Sequence, residues 1–254
     1  MKILIYVHPT FSIDYDNVAR RFVDTYKRFP AGTAHNLWVV CNGGNPSPQQ
    51  KAIYDGLKPM FFVRDNTGFD IGAFIEASEA IVQAGLQCEF AMYCGANTHF
   101  KRAGWLARLE QSWNANGKGV YGVTASNEIR PHLNTSSFIA PPDLVAEYPY
   151  DVTCMEDRYH FEWGENSLIR IAMKRGMPVR LVTWDGEFPP EFFRSAPNGY
   201  RNGDQSGCLA YFRHSDTYDA ADENERRSLA SYADGLRSNS PEILALKHMI
   251  DSKY

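Results

Sequence analysis

The sequence predicts an α/β fold built on one open, mostly parallel sheet flanked by helices. Two observations lead there. Over the first 125 residues short apolar runs alternate with amphipathic stretches, which is the rhythm of βα units. At 254 residues, with 44% hydrophobic and 22% charged side chains, the chain is long enough and apolar enough to bury one large core. We therefore read residues 1–254 as a single domain: a nucleotide-binding half over 1–125, an acceptor-side half over 126–221 and a helical C-terminal appendage over 222–254.

Lys2 to Val7 reads as the first strand, and Val18, Phe22 and Tyr26, spaced by four, mark the helix after it. Leu37 to Cys41 is a second strand, stopped by the turn-rich CNGGNPSP. Met60 to Val63 is a third, leading through RDNTGFDIGAF into a helix that passes Ile75, Ala80 and Val82 and ends near Gly85. Phe90 to Tyr93 is a fourth strand, Trp105, Leu106 and Leu109 mark a helix, and Gly119 to Thr124 is a fifth strand. Pro131, Pro141, Pro142 and Pro149 then punctuate what reads as loops and edge strands. A helix from about Glu165 to Arg175 closes at Gly176, PVRLVTW follows as a strand, and the tail from Asp222 is helical and charged.

Composition narrows the function. A net charge of -4 with no basic run disfavours nucleic acid as a partner. The apolar N-terminal run is too short for a secretory core, and no stretch approaches the roughly 20 residues needed to span a bilayer. Five scattered cysteines without a C-x-x-C pair fit reduced thiols in a cytoplasmic protein.

An open parallel sheet binds ligands outside the C-terminal ends of its strands, so the loops after His8, Asn42, Val63, Tyr93 and Thr124 should form the cleft. The segment from Arg64 to Phe74 packs a cation, two carboxylates, an amide and two glycines into one strand-to-helix turn. Glycines there would let backbone amides approach a diphosphate at a helix N-terminus. The simpler reading is that Asn66 or Thr67 caps the helix and Gly68 makes a turn.

This segment resembles the rhamnan-synthesis type of polysaccharide glycosyltransferases, whose nucleotide-binding half carries N-x-G-x-D-x-G-A between its third strand and the next helix. Asn66, Gly68, Asp70, Gly72 and Ala73 match it position for position. The resemblance extends more loosely to Gly176, through GVTAS, His132 and Ser137-Phe138. It implies a GT-A fold, a nucleotide-sugar donor and a hydroxyl acceptor, commonly on a glycan. It also implies inversion at the anomeric carbon. His8, Asn42, Asn66, Gly68, Asp70, Gly72, Asn97 and His99 are then the donor-binding candidates.

Where that family places an Asp-containing triad for a divalent cation, this chain has Cys94-Gly95-Ala96-Asn97-Thr98-His99, without a carboxylate. Asp204 and His214 are the candidates for holding Mn²⁺ or Mg²⁺ instead. Arg194 and Arg201 are candidates for neutralising the diphosphate as fixed cations. Glu165, counted back from Gly176, falls where similar transferases carry the base that deprotonates the acceptor, with Glu162 as fallback. Alternatively Glu165 is simply a favourable first-turn acid. Trp163 and Trp184 are candidate sugar platforms, though buried packing is the commoner role of Trp. Asp185 and Glu187 suit a turn better than a two-carboxylate glycosidase. His132 and His160 read as structural. The missing triad also keeps open a catalytically inactive nucleotide-sugar or glycan-binding protein on the same fold.

Overall fold

The computed structural model describes residues 1–9 and 15–253. In chain order the elements are β1 Lys2–His8, α1 Tyr15–Arg28, β2 Asn36–Asn42, α2 Pro48–Ala52, β3 Met60–Arg64, α3 Phe69–Gln83, β4 Phe90–Cys94, α4 Trp105–Asn116 and β5 Val120–Gly122. A small hairpin, β6 Ala125–Ser126 and β7 His132–Leu133, leads to β8 Ser137–Ala140, α5 Pro142–Ala146, α6 Met155–Trp163 and α7 Leu168–Lys174. Then come β9 Val179–Val182, β10 Glu187–Phe188, a 3₁₀ turn Pro190–Ser195, α8 Arg213–Ala220, α9 Glu223–Ala233 and α10 Pro241–Lys253.

Eight strands make one sheet in the order β10-β9-β5-β8-β4-β1-β2-β3. β1 pairs in parallel with both β2 and β4, and β2 with β3, so the first half forms an uninterrupted parallel block. Every residue from Ile3 to His8 is buried because helices cover both faces, which explains an apolar run in place of a polar alternation. Ile3, Ile5 and Val7 pack toward α3, while Leu4 and Tyr6 pack toward α1 and α4. Tyr6 lies flat on Phe22, ring centroids 3.6 Å apart.

The second half departs from the expected loops and edge strands in two places. Ser137–Ala140 is a fully buried interior strand, antiparallel to both β4 and β5. Met155–Trp163 is a helix where the sequence pattern is irregular, and the expected helix from Glu165 begins only at Leu168. Asp157 explains the start of α6: its Oδ2 accepts from the Thr153 and Cys154 amides at 2.7 and 3.1 Å, satisfying donors at the helix N-terminus.

The tail is helical, as expected, but α10 is part of a wall. Its Ile250 is buried with Ile129 and Trp163, and Arg130 bonds Asp251 while Lys253 bonds Asp157. No helix among the described residues is long and apolar enough to cross a membrane.

Candidate functional site

Two cavities open at the C-terminal edge of the parallel block. The smaller, about 210 Å³, is lined by Asp70, the Gly95–Thr98 loop after β4 and Arg213. The larger, about 390 Å³, is lined by His132, Asn134, Glu162, Trp163 and Arg201, with Ile243 and Leu246 of α10 on its far side. Ser136, Arg158, Phe212 and His214 line both, so the two are chambers of one cleft.

The Asn66–Ala73 turn reaches the cleft through Asp70. Gly68 and Phe69 both have positive φ, 67° and 57°. A side chain at Gly68 would overlap the Val152 carbonyl, and a Cβ at Gly72 would stand 2.7 Å from the Thr67 carbonyl. These glycines are thus required by backbone packing onto the α5–α6 segment and the turn itself. Neither Asn66 nor Thr67 caps α3: the N-cap is Gly68, Asn66 is exposed, and Thr67 Oγ1 accepts from Arg64 Nη2 at 3.2 Å. Buried Arg64 also bonds Asn42 Oδ1 at 2.9 Å and Glu76, so Asn42 holds the turn from behind and lines neither chamber.

Asp70 is the hinge of the site. Its Oδ1 accepts from Arg158 Nε at 3.1 Å and from the Ile71 amide at 3.1 Å. A methyl group at Gly95 would meet Asp70 Oδ2 at 3.7 Å, which places the carboxylate against the β4 loop. Arg158 Nη1 also lies 3.7 Å from Glu162 Oε2, one turn further along α6. Burial opposes the charge on Arg158, yet Asp70 and Glu162 raise its pKa further above the ordinary arginine value. Glu162 Oε1 accepts from the Thr135 amide at 2.9 Å and its hydroxyl at 3.1 Å, which fixes the carboxylate in the wall of the large chamber. His214 completes the rim. Burial, helped by the Arg201 and Arg213 guanidiniums, lowers its pKa and keeps the imidazole neutral.

Of the expected donor-side residues, Asp70 and Asn97 line the small chamber. His99 stands behind it: buried, it exchanges both backbone hydrogen bonds with Tyr211 at 2.9 Å and lies 2.7 Å from Arg21 Nη2 through Nε2. Although burial acts the other way, His99 and Arg21 hold the Asp216 carboxyl well below its usual range, and the trio pins α8 beside the cleft. His8 is buried against Tyr54, Nδ1 to hydroxyl 2.7 Å, away from both chambers, and the loop expected after it, residues 10–14, lies outside the described residues.

Four of the expected site residues lie outside the small chamber. Glu165 precedes α7 and bonds Arg130 and Arg170 at the exposed surface, so Glu162 is the carboxylate that faces the cleft. Arg194 bonds Asp234 at 2.7 Å and the Tyr200 carbonyl at 2.6 Å, fastening the end of α9 to the 3₁₀ turn. Arg201 lines the large chamber rather than the one that Asp70 and Asn97 share. Asp204 is exposed and bonds Ser206 at 2.9 Å, while His214 lies on the cleft rim. Among the described residues no three His, Cys, Asp or Glu side chains are placed to hold a metal ion. Asp204, expected to hold Mn²⁺ or Mg²⁺ with His214, lines neither chamber, and the positive charge on the cleft walls comes from Arg158, Arg201 and Arg213.

The aromatic candidates divide. Trp163 stacks on Tyr159, centroids 5.9 Å apart, and both line the large chamber. Trp184 lies beneath Arg102, 4.2 Å from guanidinium carbon to ring centroid, outside both chambers. Glu187 is held by Arg108 at 2.9 Å and Asn116 at 2.8 Å beside α4, which fits the turn reading of that acidic pair. His132 lines the large chamber, its Nδ1 2.7 Å from the Arg130 carbonyl, and His160, on α6, is fully buried.

Arg158 is the principal residue that sequence reasoning missed. The signal was present in Thr153-Cys154 followed by Asp157, which marks a helix start and puts Arg158 and Glu162 on one face four residues apart.

The chain matches no family model and no curated protein. Similar solved structures include HddC from Yersinia pseudotuberculosis, at 11% identity and TM-score 0.42, over 59% of this chain and 81% of that one. S. aureus TarS 1-349 in complex with UDP is similar at 11% identity and TM-score 0.42, over 58% of this chain, which spans about half of that fragment (48%). Mouse xyloside xylosyltransferase 1, apo form, is similar at 12% identity and TM-score 0.43, over 71% of this chain and 83% of that one.

Proposed function

We propose that this chain is a glycosyltransferase that moves a hexose from a nucleoside diphosphate sugar to a hydroxyl of a glycan acceptor, with inversion. The observation that carries the reading is the pair of contiguous chambers with Glu162 and Asp70 joined through Arg158 at their junction. The small chamber, walled by Asp70, Asn97 and Arg213, takes the donor, and its arginines meet the diphosphate. The large chamber takes the acceptor. Glu162 accepts the proton of the attacking hydroxyl as that oxygen bonds to the anomeric carbon. The bond from that carbon to the diphosphate breaks in line, and its electron pair leaves with the diphosphate beside Arg158 and Arg213.

A second reading keeps the chambers without the chemistry. Both carboxylate oxygens of Glu162 are already engaged, by Thr135 and by Arg158, which suits a carboxylate that orients a sugar in a nucleotide-sugar or glycan-binding protein. One experiment separates the two: nucleoside diphosphate sugars are incubated with the chain and with Glu162→Gln, following both thermal stabilisation and nucleoside diphosphate release. Release that the variant abolishes supports the transferase. Stabilisation of both proteins without release by either supports the binder.

A further inference from the structure

We propose that the large chamber binds an acidic saccharide and that Arg201 recognises its carboxylate. Calling that saccharide the acceptor rests on the transferase reading; the binding site itself does not. Arg201 is only 8% exposed, it lines the chamber, and its Nε has no hydrogen-bond partner. Among the described residues no carboxylate forms an ion pair with it: Glu162, on the same wall, is held by Thr135 and Arg158. The Tyr200 ring, its centroid 5.1 Å from the guanidinium carbon, answers part of the charge, but a buried guanidinium without a counter-ion still favours an anion in the cavity.

The backbone shows that the position is built. Arg201 has φ +50°, a region that non-glycine residues seldom occupy. It is held there by its amide, which donates to Gln205 Oε1 at 3.0 Å. Gln205 is itself fully buried and anchored through Nε2 to the Ser215 carbonyl at 3.0 Å and Asp219 Oδ1 at 2.7 Å. The planar fork of a guanidinium suits a carboxylate or a phosphate. The rest of the wall suits a sugar ring: Tyr159, stacked on the buried Trp163, offers aromatic surface, and His132 and Asn134 offer polar atoms. The cavity of about 390 Å³ falls within the size range of small-molecule sites. A donor diphosphate is the competing anion, but Arg201 is absent from the wall of the chamber that Asp70 and Asn97 line.

The test is a calorimetric titration of the full chain with glucuronate, glucose and UDP in turn, repeated on Arg201→Gln and Arg201→Lys. The expected result is glucuronate binding at least roughly tenfold tighter than glucose, a preference lost in Arg201→Gln and partly kept in Arg201→Lys. Equal affinity for glucuronate and glucose, or no binding of either, overturns the proposal. So does a loss of UDP affinity in Arg201→Gln with the glucuronate preference intact, which would assign the guanidinium to the donor. If Arg201→Gln does not fold, the wild-type comparison and Arg201→Lys still decide. No step needs donor or turnover, so a chain that transfers no sugar still reports on this site.

Discussion

Replacing Gly68 by Ala isolates what the turn before α3 demands. At φ 67° an alanine carries the left-handed penalty of about 1–2 kcal/mol, partly offset by its lower entropy when unfolded. Its methyl would also overlap the Val152 carbonyl and stand 3.0 Å from Gly72 Cα, both backbone atoms that cannot swing aside as a side chain would. Forcing the α5–α6 segment outward adds about 1–3 kcal/mol, for a total near 3 kcal/mol. Gly85 is the control: its φ is 63°, nearly the same, but nothing lies within 4 Å of its added Cβ, so Gly85→Ala should cost about 1 kcal/mol. For a domain of this size 1 kcal/mol shifts Tm by about 2–4 °C, so calorimetry should find Gly68→Ala lower by about 6–12 °C and Gly85→Ala by about 2–4 °C. Equal shifts in the two variants would refute the claim that backbone contact, rather than turn conformation alone, requires the glycine.

Glu162→Gln should lower transfer about 10²–10⁴-fold while nucleotide-sugar binding is retained, read by product release against thermal shift. Arg194→Ala removes the tie to Asp234 and the Tyr200 carbonyl, so it should cost about 1–2 kcal/mol and speed proteolysis after α9 without altering nucleotide-sugar affinity. Burial lowers the His160 pKa to about 4, with Asp251 and Asp157 opposing and Arg130 and Lys253 assisting that shift. Because the folded pKa is the lower one, the neutral ring's contribution is fully present above the unfolded value near 6.5 and is lost as pH falls from there to about 4. Urea denaturation at pH 7 and pH 4.5 should show a loss of roughly 2–3 kcal/mol from this group. A His160→Gln chain should lose less over the same interval.

The parallel half of the fold was legible because each strand there is a single apolar run ended by a turn signal. Leu37 to Cys41 followed by CNGGNPSP is an example, and the strand runs Asn36–Asn42. The second half was harder for a physical reason. Ser137–Ala140 is only four residues long and is interior because β4 and β5 flank it, which no local pattern records. Helix α6 carries Tyr159, Phe161 and Trp163 in a spacing without one apolar stripe, because it packs against α10 and the core on different faces. Glu165, the expected base by its spacing from Gly176, is a solvent-facing residue between α6 and α7. Asp70 was legible from the Asn66–Ala73 pattern, but its partner Arg158 lies 88 residues on and is brought to it by tertiary packing alone.

That one guanidinium answers two acids has a thermodynamic corollary. Arg158 shares its charge between Asp70 in the wall of the small chamber and Glu162 in the wall of the large one, so a charged occupant of either chamber changes the field in the other. An anion that draws Arg158 toward Asp70 moves its charge away from Glu162, so the two carboxylates compete for one cation. Linkage makes the effect mutual: whatever the first occupant does to the affinity of the second, the second does equally to the first. Occupants of the two chambers are thereby coupled through one shared side chain, with neither given precedence.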